Sequence, residues 1–388
     1  MGHHTPADSG APAEPTTLSE HLLRSATVVP GAIALCHKTR GRWIAWTWRD
    51  WRTEVGRVVA ALSARGFRPG DVVAIGAAPS PQALAVTLAA HTLGGVALWT
   101  KLEGYAPVAS PSVAEPRFGF AQDESALAKL RTRLGLGGSW TLGLHTADHG
   151  SPDDPAAPVR GYAAAVAPAD PAADGVGWAR PQDVAFVFPD RVAGPSTSTH
   201  AALLAQARAW LVARGSIGRL AFTAEAPTSA AVAAFFAGWL VGGFSLGLPE
   251  DPTTADLDRR ELQPEVVAAT APAYERLARQ VTDGLPPVDT FLRRTVDAGL
   301  ASAKRWGQWT MRRPLRDVMG FRAAKTALVL GAPPPAAAQE LFASLRIALW
   351  PLAARAPGPD DAVYPEAGGA ADSPAALSPP AATLGELT

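Results

Sequence analysis

The sequence predicts an α/β protein with largely parallel sheets. Three observations carry this. Short apolar runs such as "VVAIG" and "VAFVF" alternate with alanine- and leucine-rich segments at helical spacing. Glycine and proline punctuate the alternation, in "RPGD", at Gly66 and at Gly94-Gly95. The chain has 388 residues, 47% of them hydrophobic, enough for a large core and roughly two to three domain-sized units.

Each element has a local reason. Residues 1–17, "MGHHTPADSGAPAEPTT", have no apolar run, so they are not a secretory signal and read as a flexible leader. The His3-His4 pair within them is assigned no function. "LSEHLLRSATVVP" reads as a helix and "AIALC" as a strand. "WIAWTWRDW" crowds Trp43, Trp46, Trp48 and Trp51 into a half-buried strand that passes into a helix near Asp50. These rings are expected to pack in the core rather than to cage a ligand. "EVGRVVAALSARGF" is a helix ending at Gly66, "RPGDVVAIGA" a turn and strand, and "PQALAVTLAAHTLGGVALW" a helix, a glycine pair and a strand.

Residues 104–120 read as irregular, 124–137 as helical and 148–178 as a Pro-, Ala-, Asp- and Gly-rich surface connection. The alternation resumes at 183 with a strand, a loop, a helix over 200–214 and a strand near 219–223. Residues 259–282 and 290–319 read as mostly helical. "KTALVLGAPPPAAAQELFASL" gives strand, turn and helix again. After about residue 356 the chain lacks the apolar residues that would offset its ordering entropy, and disorder is expected. The expected organisation is a leader over 1–17, a first α/β subdomain over 18–180, a second over 181–355 and a tail over 356–388. No internal repeat is visible.

"APTSAAVAAFFAGWLVGGFSLGLP", between Glu225 and Glu250, is uncharged and long enough to span a membrane. Gly238, Gly242, Gly243 and Gly247 interrupt it, and no Lys/Arg cluster flanks it. A buried helix, a glycine turn and a short buried strand are expected instead.

Lysine plus arginine and aspartate plus glutamate number 35 each, so the formal net charge is zero. No basic block points to nucleic acid or an acidic membrane as the main partner. Cys36 is the only cysteine, which excludes an internal disulfide and a cysteine metal site. A reducing compartment fits, and a cytoplasmic location is expected.

The stretch "FVFPDRVAGPSTSTHAALL", residues 186–204, carries the functional question. Strand, glycine-bearing loop and helix are a common frame for phosphate. Such loops normally have several glycines and a lysine. This one has a single glycine, Gly194, no lysine, and an aspartate, Asp190, that would repel an anion.

The order of segments resembles the large N-terminal domain of the adenylate-forming superfamily, in particular the long-chain fatty-acid CoA ligases. "PGAIAL", "TWRDW", "VAALSARGFRPGDVVAIGA" and "TLAAHTLGGVALW" carry the likeness, with "LVLGAPPPAAAQELFASLRIALW" later. It covers roughly residues 18 to 352. The resemblance implies layered mixed sheets with interleaved helices. In that family the nucleotide loop reads Thr-Ser-Gly-Thr-Thr-Gly-Pro followed by a Lys-Gly pair and, later, a Thr-His that opens the helix. Here "PDRVAGP" stands in its place. Only Gly194 and Pro195 agree, and Thr199-His200 arrives sooner, as though the lysine and its glycine were deleted. Pro189 replaces the first threonine and has no N–H to offer.

Three further departures accompany this one. The family's Gly-Tyr-Gly-x-Thr-Glu segment is replaced by "LAARAP", residues 352–357. Pro227 of "AEAP" stands where the acyl site has a histidine. The C-terminal lid domain with its catalytic lysine is expected to be absent. The adenine- and acyl-bordering loop survives best, as Gly331, Ala332 and Pro333.

What the resemblance implies is therefore a degenerate cofactor site at Gly194, Pro195, Thr199, His200, Gly331, Ala332 and Pro333, with no catalytic residue and no metal ligand. A catalytically inactive homologue acting as a binding or scaffolding protein is expected, with no cofactor. The surviving walls, the 200–214 helix and the Gly331–Pro333 loop, leave room for a residual acyl pocket. The alternative is a divergent ATP-dependent acyl-CoA ligase or acyl-adenylate-forming enzyme, using ATP, magnesium and CoA. A protein partner, an active acyl-CoA ligase or a second copy, is expected at the edge near Trp350 in "IALWPL".

Other chemistry reads more simply. His145 and His149 in "HTADH" are expected in a solvated loop rather than a zinc site. "STST" before His200 reads as a helix cap rather than as part of a nucleophile–base pair. The basic, Trp-containing helix Lys304–Arg316 reads as a solvated amphipathic helix, with weak membrane-surface contact as its alternative.

Overall fold

Pairing among the short apolar runs decides the architecture, and a computed structural model shows it. The structure describes residues 14–102, 114–147, 154–168, 178–189, 195–215, 218–301, 311–324 and 326–352. Helix α1 (Leu18–Val28) is closed by a capping box: Thr17 accepts from the Glu20 amide while Glu20 reaches back. The hairpin β1 (Ile33–Thr39) and β2 (Arg42–Thr47) runs straight into α2 (Trp48–Ala64), where Thr47 and Asp50 repeat the device. Then follow β3 (Val72–Gly76), α3 (Pro81–Thr92), β4 (Val96–Trp99), β5 (Phe118–Ala121), α4 (Glu124–Arg133), β6 (Leu142–His145), β7 (Val159–Gly161) and α5 (Tyr162–Val166).

The second half opens on another hairpin, β8 (Val184–Phe188) and β9 (Ser196–Thr199), which runs straight into α6 (His200–Arg214). Next come β10 (Leu220–Phe222), α7 (Ala230–Gly242), β11 (Ser245–Leu248), α8 (Ala255–Leu262), β12 (Val266–Ala269) and α9 (Ala271–Asp283). Last are α10 (Phe291–Ala301), α11 (Arg313–Val318), β13 (Thr326–Leu330), α12 (Ala336–Ser344) and β14 (Ala348–Leu352).

The strands form two 7-stranded sheets, ordered β14-β13-β12-β10-β11-β1-β2 and β7-β6-β5-β3-β4-β8-β9. Their topologies are the same. In each, a parallel set is wound in the order second-first-third-fourth-fifth, from β10 to β14 in one and from β3 to β7 in the other. A further parallel strand and an antiparallel edge strand complete each sheet: β1 with β2, and β8 with β9.

The hairpins are exchanged between the halves. β1–β2 belong to the sheet of β10, although the helix they feed leads to β3. β8–β9 belong to the sheet of β3, although the helix they feed leads to β10. This repeat is one of connectivity. Strands buried on both faces need apolar volume rather than particular residues, so no residue repeat accompanies it.

The exchange locks the sheets around one core. Leu35, Ile75, Phe118, Phe186, Leu246 and Leu328 belong to a single buried cluster. Helices α3 and α7, apolar nearly all round, are buried on nearly all their faces. Trp239 of α7 stacks on Trp48 at 5.5 Å and lies 6.1 Å from Trp51. Its indole N–H donates to the Ala34 carbonyl at 2.9 Å. Trp48 and Trp51 are thus core packing and Trp46 lies half-buried against them, as expected, whereas Trp43 stays on the exposed edge strand β2, its indole N–H donating to the Glu261 carboxylate at 3.2 Å.

The uncharged stretch forms α7, a left-handed turn at Gly243 (φ 64°) and the buried strand β11. Among the described residues no helix is long and apolar enough to cross a membrane.

Several expectations need correction. Residues 104–120 contain the buried start of β5, the 148–178 connection contains β7 and α5, and the 259–282 stretch holds β12 between two helices. Residue His145 ends the buried strand β6 and is itself buried, not in a solvated loop. These strands are short and flanked by polar residues, so a window long enough to show periodicity blurs them. The leader up to residue 13, His149 and the tail lie outside the described residues.

Candidate nucleotide site

Parallel strands of α/β sheets present ligands at their carboxyl ends, in the crevice where the winding direction reverses. In the sheet of β10 that crevice lies between β10 and β12. Buried Thr223 follows β10, and its amide donates to the Gly247 carbonyl at 3.2 Å. Its hydroxyl accepts from the Glu225 amide at 3.1 Å. The Glu225 carboxylate then crosses the crevice. Its Oε1 accepts from both the amide (3.1 Å) and the hydroxyl (2.8 Å) of Thr270, the cap of α9. A carboxylate that is itself bonded thus links the carboxyl ends of β10 and β12.

The Gly331–Pro333 loop lies at the carboxyl end of β13, beside β12. Gly331 has φ 107°, a conformation that favours glycine. Its amide donates to the Leu352 carbonyl at 3.1 Å. Ala332 and Pro333 are exposed.

Of the other expected site residues, Asp190 and Gly194 lie outside the described residues. Pro195 leads into β9, whose antiparallel pairing sets Ser196 against Phe188 and Thr199 against Val184. The hairpin therefore holds Pro195 near the carboxyl end of β8 and carries Thr199 and His200 to its amino end. The structure separates residues that the sequence grouped. Thr199 caps α6, its hydroxyl accepting from the Ala202 amide at 3.2 Å. His200 is fully buried, its Nδ1 accepting from the Leu18 amide at 3.4 Å. The capping reading of "STST" holds, and a surface strand the sequence did not announce is added to it.

One small apolar cavity lies elsewhere, walled by Leu18, Leu84, Leu88, Phe186, Pro227 and Leu240, among others. Its volume is ≈ 20 Å³, room for one water-sized guest and far short of an acyl chain. It includes Pro227 of the expected acyl segment, but neither α6 nor the Gly331–Pro333 loop borders it.

Among the described residues no cluster of His, Cys, Asp and Glu could hold a metal ion. His145 Nε2 lies 3.5 Å from the Glu124 carboxylate. Of the basic helix, residues 302–310 lie outside the described set. Arg312 Nε donates to the Ser344 carbonyl at 3.0 Å, and Arg316 Nε to the Phe321 carbonyl at 3.1 Å. Trp350, on the edge strand β14, is half-buried against the core, with the Arg214 guanidinium 5.4 Å from its ring centroid.

The sequence reading missed Glu225 and Thr270. Glu225 stands in the quoted "AEAP", and an acidic residue just past a buried strand was a usable signal. Thr270 could not be placed without β12.

Residues 22–106 match the family of AMP-binding enzymes. An uncharacterized protein of Mycobacterium tuberculosis is 37% identical over 79 residues. That match covers 19% of this chain and 44% of that protein, less than half its length. Among solved structures, the N-terminal domain of FACL13 from Mycobacterium tuberculosis superposes with a TM-score of 0.58 at 15% identity. The match covers 86% of this chain and 74% of that one. Acetoacetyl-CoA synthetase from Streptomyces lividans gives a TM-score of 0.60 at 20% identity, over 86% of this chain and 50% of that enzyme. Residues 22–106 thus carry the AMP-binding signature, and the chain has the fold of the large N-terminal domain of the adenylate-forming superfamily, the fold of the acyl-CoA ligases.

Proposed function

We propose that this chain is a catalytically inactive homologue of the acyl-CoA ligases that works by binding or scaffolding. The observation that carries the reading is the Glu225–Thr270 bridge across the crevice between β10 and β12. A triphosphate brought there would meet a carboxylate already bonded to Thr270 instead of free donors. The Gly331 amide is engaged by Leu352, and the sequence over residues 189–195 contains an aspartate and no lysine. The residues present do not fit ATP with magnesium, and no reaction step is assigned to them.

Partner binding is the remaining activity to assign. β14 is an edge strand, and an edge with open backbone groups takes another strand or is covered. An active acyl-CoA ligase or a second copy of this chain is the proposed partner.

ATP–pyrophosphate exchange with fatty-acid and aryl-acid panels tests the first half. No exchange, and no magnesium-dependent thermal shift with millimolar ATP, are expected. Exchange above background would instead identify a divergent acyl-adenylate-forming enzyme. Sedimentation of the chain, alone and with such a ligase, tests the second half. A strict monomer in both conditions would remove the partner.

A further inference from the structure

Two buried histidines meet beneath α1. His91 of α3 and His200 of α6 are both fully buried, with ring centroids 5.1 Å apart and planes at 81°. Backbone groups fix their tautomers. The Ala185 carbonyl can only accept, so His91 Nε2 carries a proton, at 2.8 Å. The Leu18 amide can only donate, so His200 Nδ1 is bare, at 3.4 Å.

The leftover atoms are a lone pair on His91 Nδ1 and an N–H on His200 Nε2, and neither has a partner among the described residues. The small cavity beside His91 is apolar apart from Thr87. The Thr87 hydroxyl already donates to the Ala83 carbonyl and accepts from the Trp99 indole. No acceptor stands ready for a second imidazole proton.

We propose that His91 and His200 form an acid-sensitive latch, which holds α1 against α3 and α6 only while both rings are neutral. A proton on His200 Nδ1 turns the acceptor of the Leu18 amide into a donor, and that bond is lost. A proton on His91 Nδ1 creates a buried cation without an acceptor. Together they set like charges in adjoining rings.

The surrounding charges are few. Glu20 of α1 and Asp183 before β8 both favour a proton on His200. His21 of α1 is a third buried imidazole, facing Arg208 of α6, Arg24, Glu14 and Glu20. Helix α7 has no charged side chain, and α3 has none beyond His91 itself.

Burial outweighs the carboxylates and holds His200 at about 4. Burial and the neighbouring His200 hold His91 at about 3. Once released, both rings return toward the ordinary 6.5. Docking is therefore complete above pH 6.5 and weakens as pH falls toward 4. At pH 5 a ring that returns fully to 6.5 on release shifts the balance toward release by about thirtyfold.

Hydrogen exchange of the full chain, corrected for its intrinsic pH dependence, tests this. Between pH 7.5 and 5.0, residues 14–28 should lose protection by at least about thirtyfold, while the α7 segment keeps it. The His91→Gln/His200→Gln double variant should lose this pH dependence, and His21→Gln should keep it. Should the double variant not fold, the histidine ring resonances of the wild type decide. Two rings that stay neutral to pH 5.5, then protonate in step with loss of 14–28 protection, support the latch. Unchanged protection at pH 5.0, an equal loss in a folded double variant, or all rings titrating near 6.5 independently of α1 would overturn it.

Discussion

Glu225 accepts both the amide and the hydroxyl hydrogen bonds of Thr270, so the end of β10 and the cap of α9 are one bonded unit. Glu225→Ala would leave the part-buried Thr270 amide without its acceptor. A loss of about 1–3 kcal/mol in urea unfolding is expected. Thr270→Val removes only the hydroxyl bond and should cost less, about 1 kcal/mol. Equal effects of the two variants would mean that the carboxylate does not organise the crevice.

Trp239 joins the two halves, touching Trp48 and Trp51 of α2 while its N–H holds the Ala34 carbonyl ahead of β1's centre. Trp239→Ala should cost about 3–5 kcal/mol through the cavity it opens. Trp239→Phe keeps much of the volume but leaves the Ala34 carbonyl short of a donor, and should fall between. Chemical denaturation measures both. A loss under about 1 kcal/mol for the alanine variant would contradict a shared core.

The sequence made the layered fold legible because strands and helices long enough to show a period left clear marks. The 200–214 helix, the strand-to-helix passage at Thr47–Asp50 and the buried 226–249 stretch are examples. What it hid was pairing. Nothing in "AIALC" says that β1 joins β11, more than two hundred residues away, because a short apolar run does not by its residues name the strand it pairs with. The site was half legible for the same reason. Thr199 and His200 were adjacent to the loop in sequence, but the unannounced strand β9 carries them to the other end of the sheet. Glu225 became a site residue only when β12 brought Thr270 beside it.

Lys38 has two acidic partners that differ in burial. Asp258 Oδ1 lies at 3.0 Å with its side chain 1% exposed, and Glu261 Oε2 at 2.6 Å with 52% exposed. Lys38→Met removes the counter-charge from buried Asp258 and should cost about 3–5 kcal/mol. Glu261→Gln leaves that pair intact and should cost under about 1 kcal/mol. Thermal unfolding of the two variants at one pH gives the comparison. A Glu261→Gln effect as large as that of Lys38→Met would place the weight on the exposed pair.

Gly238 sits where α7 meets α6, and its missing side chain makes room for a ring. A Cβ there would collide with the Trp210 ring at Cζ2. Trp210 is part-buried and tied, its indole N–H donating to the Ala234 carbonyl at 3.3 Å and its ring stacked on Phe235. Elsewhere in a helix, Gly→Ala stabilises by roughly 0.5–1 kcal/mol. Here the ring must leave, and Gly238→Ala should destabilise by about 1–3 kcal/mol instead. The sign is the discriminating feature, and a second variant locates its cause. Trp210→Leu removes the obstructing ring, so adding Gly238→Ala to that background should be neutral or stabilising. Thermal denaturation of the four proteins in the cycle gives the coupling. A destabilisation that persists undiminished without the Trp210 ring would trace the cost of Gly238→Ala to something other than this contact.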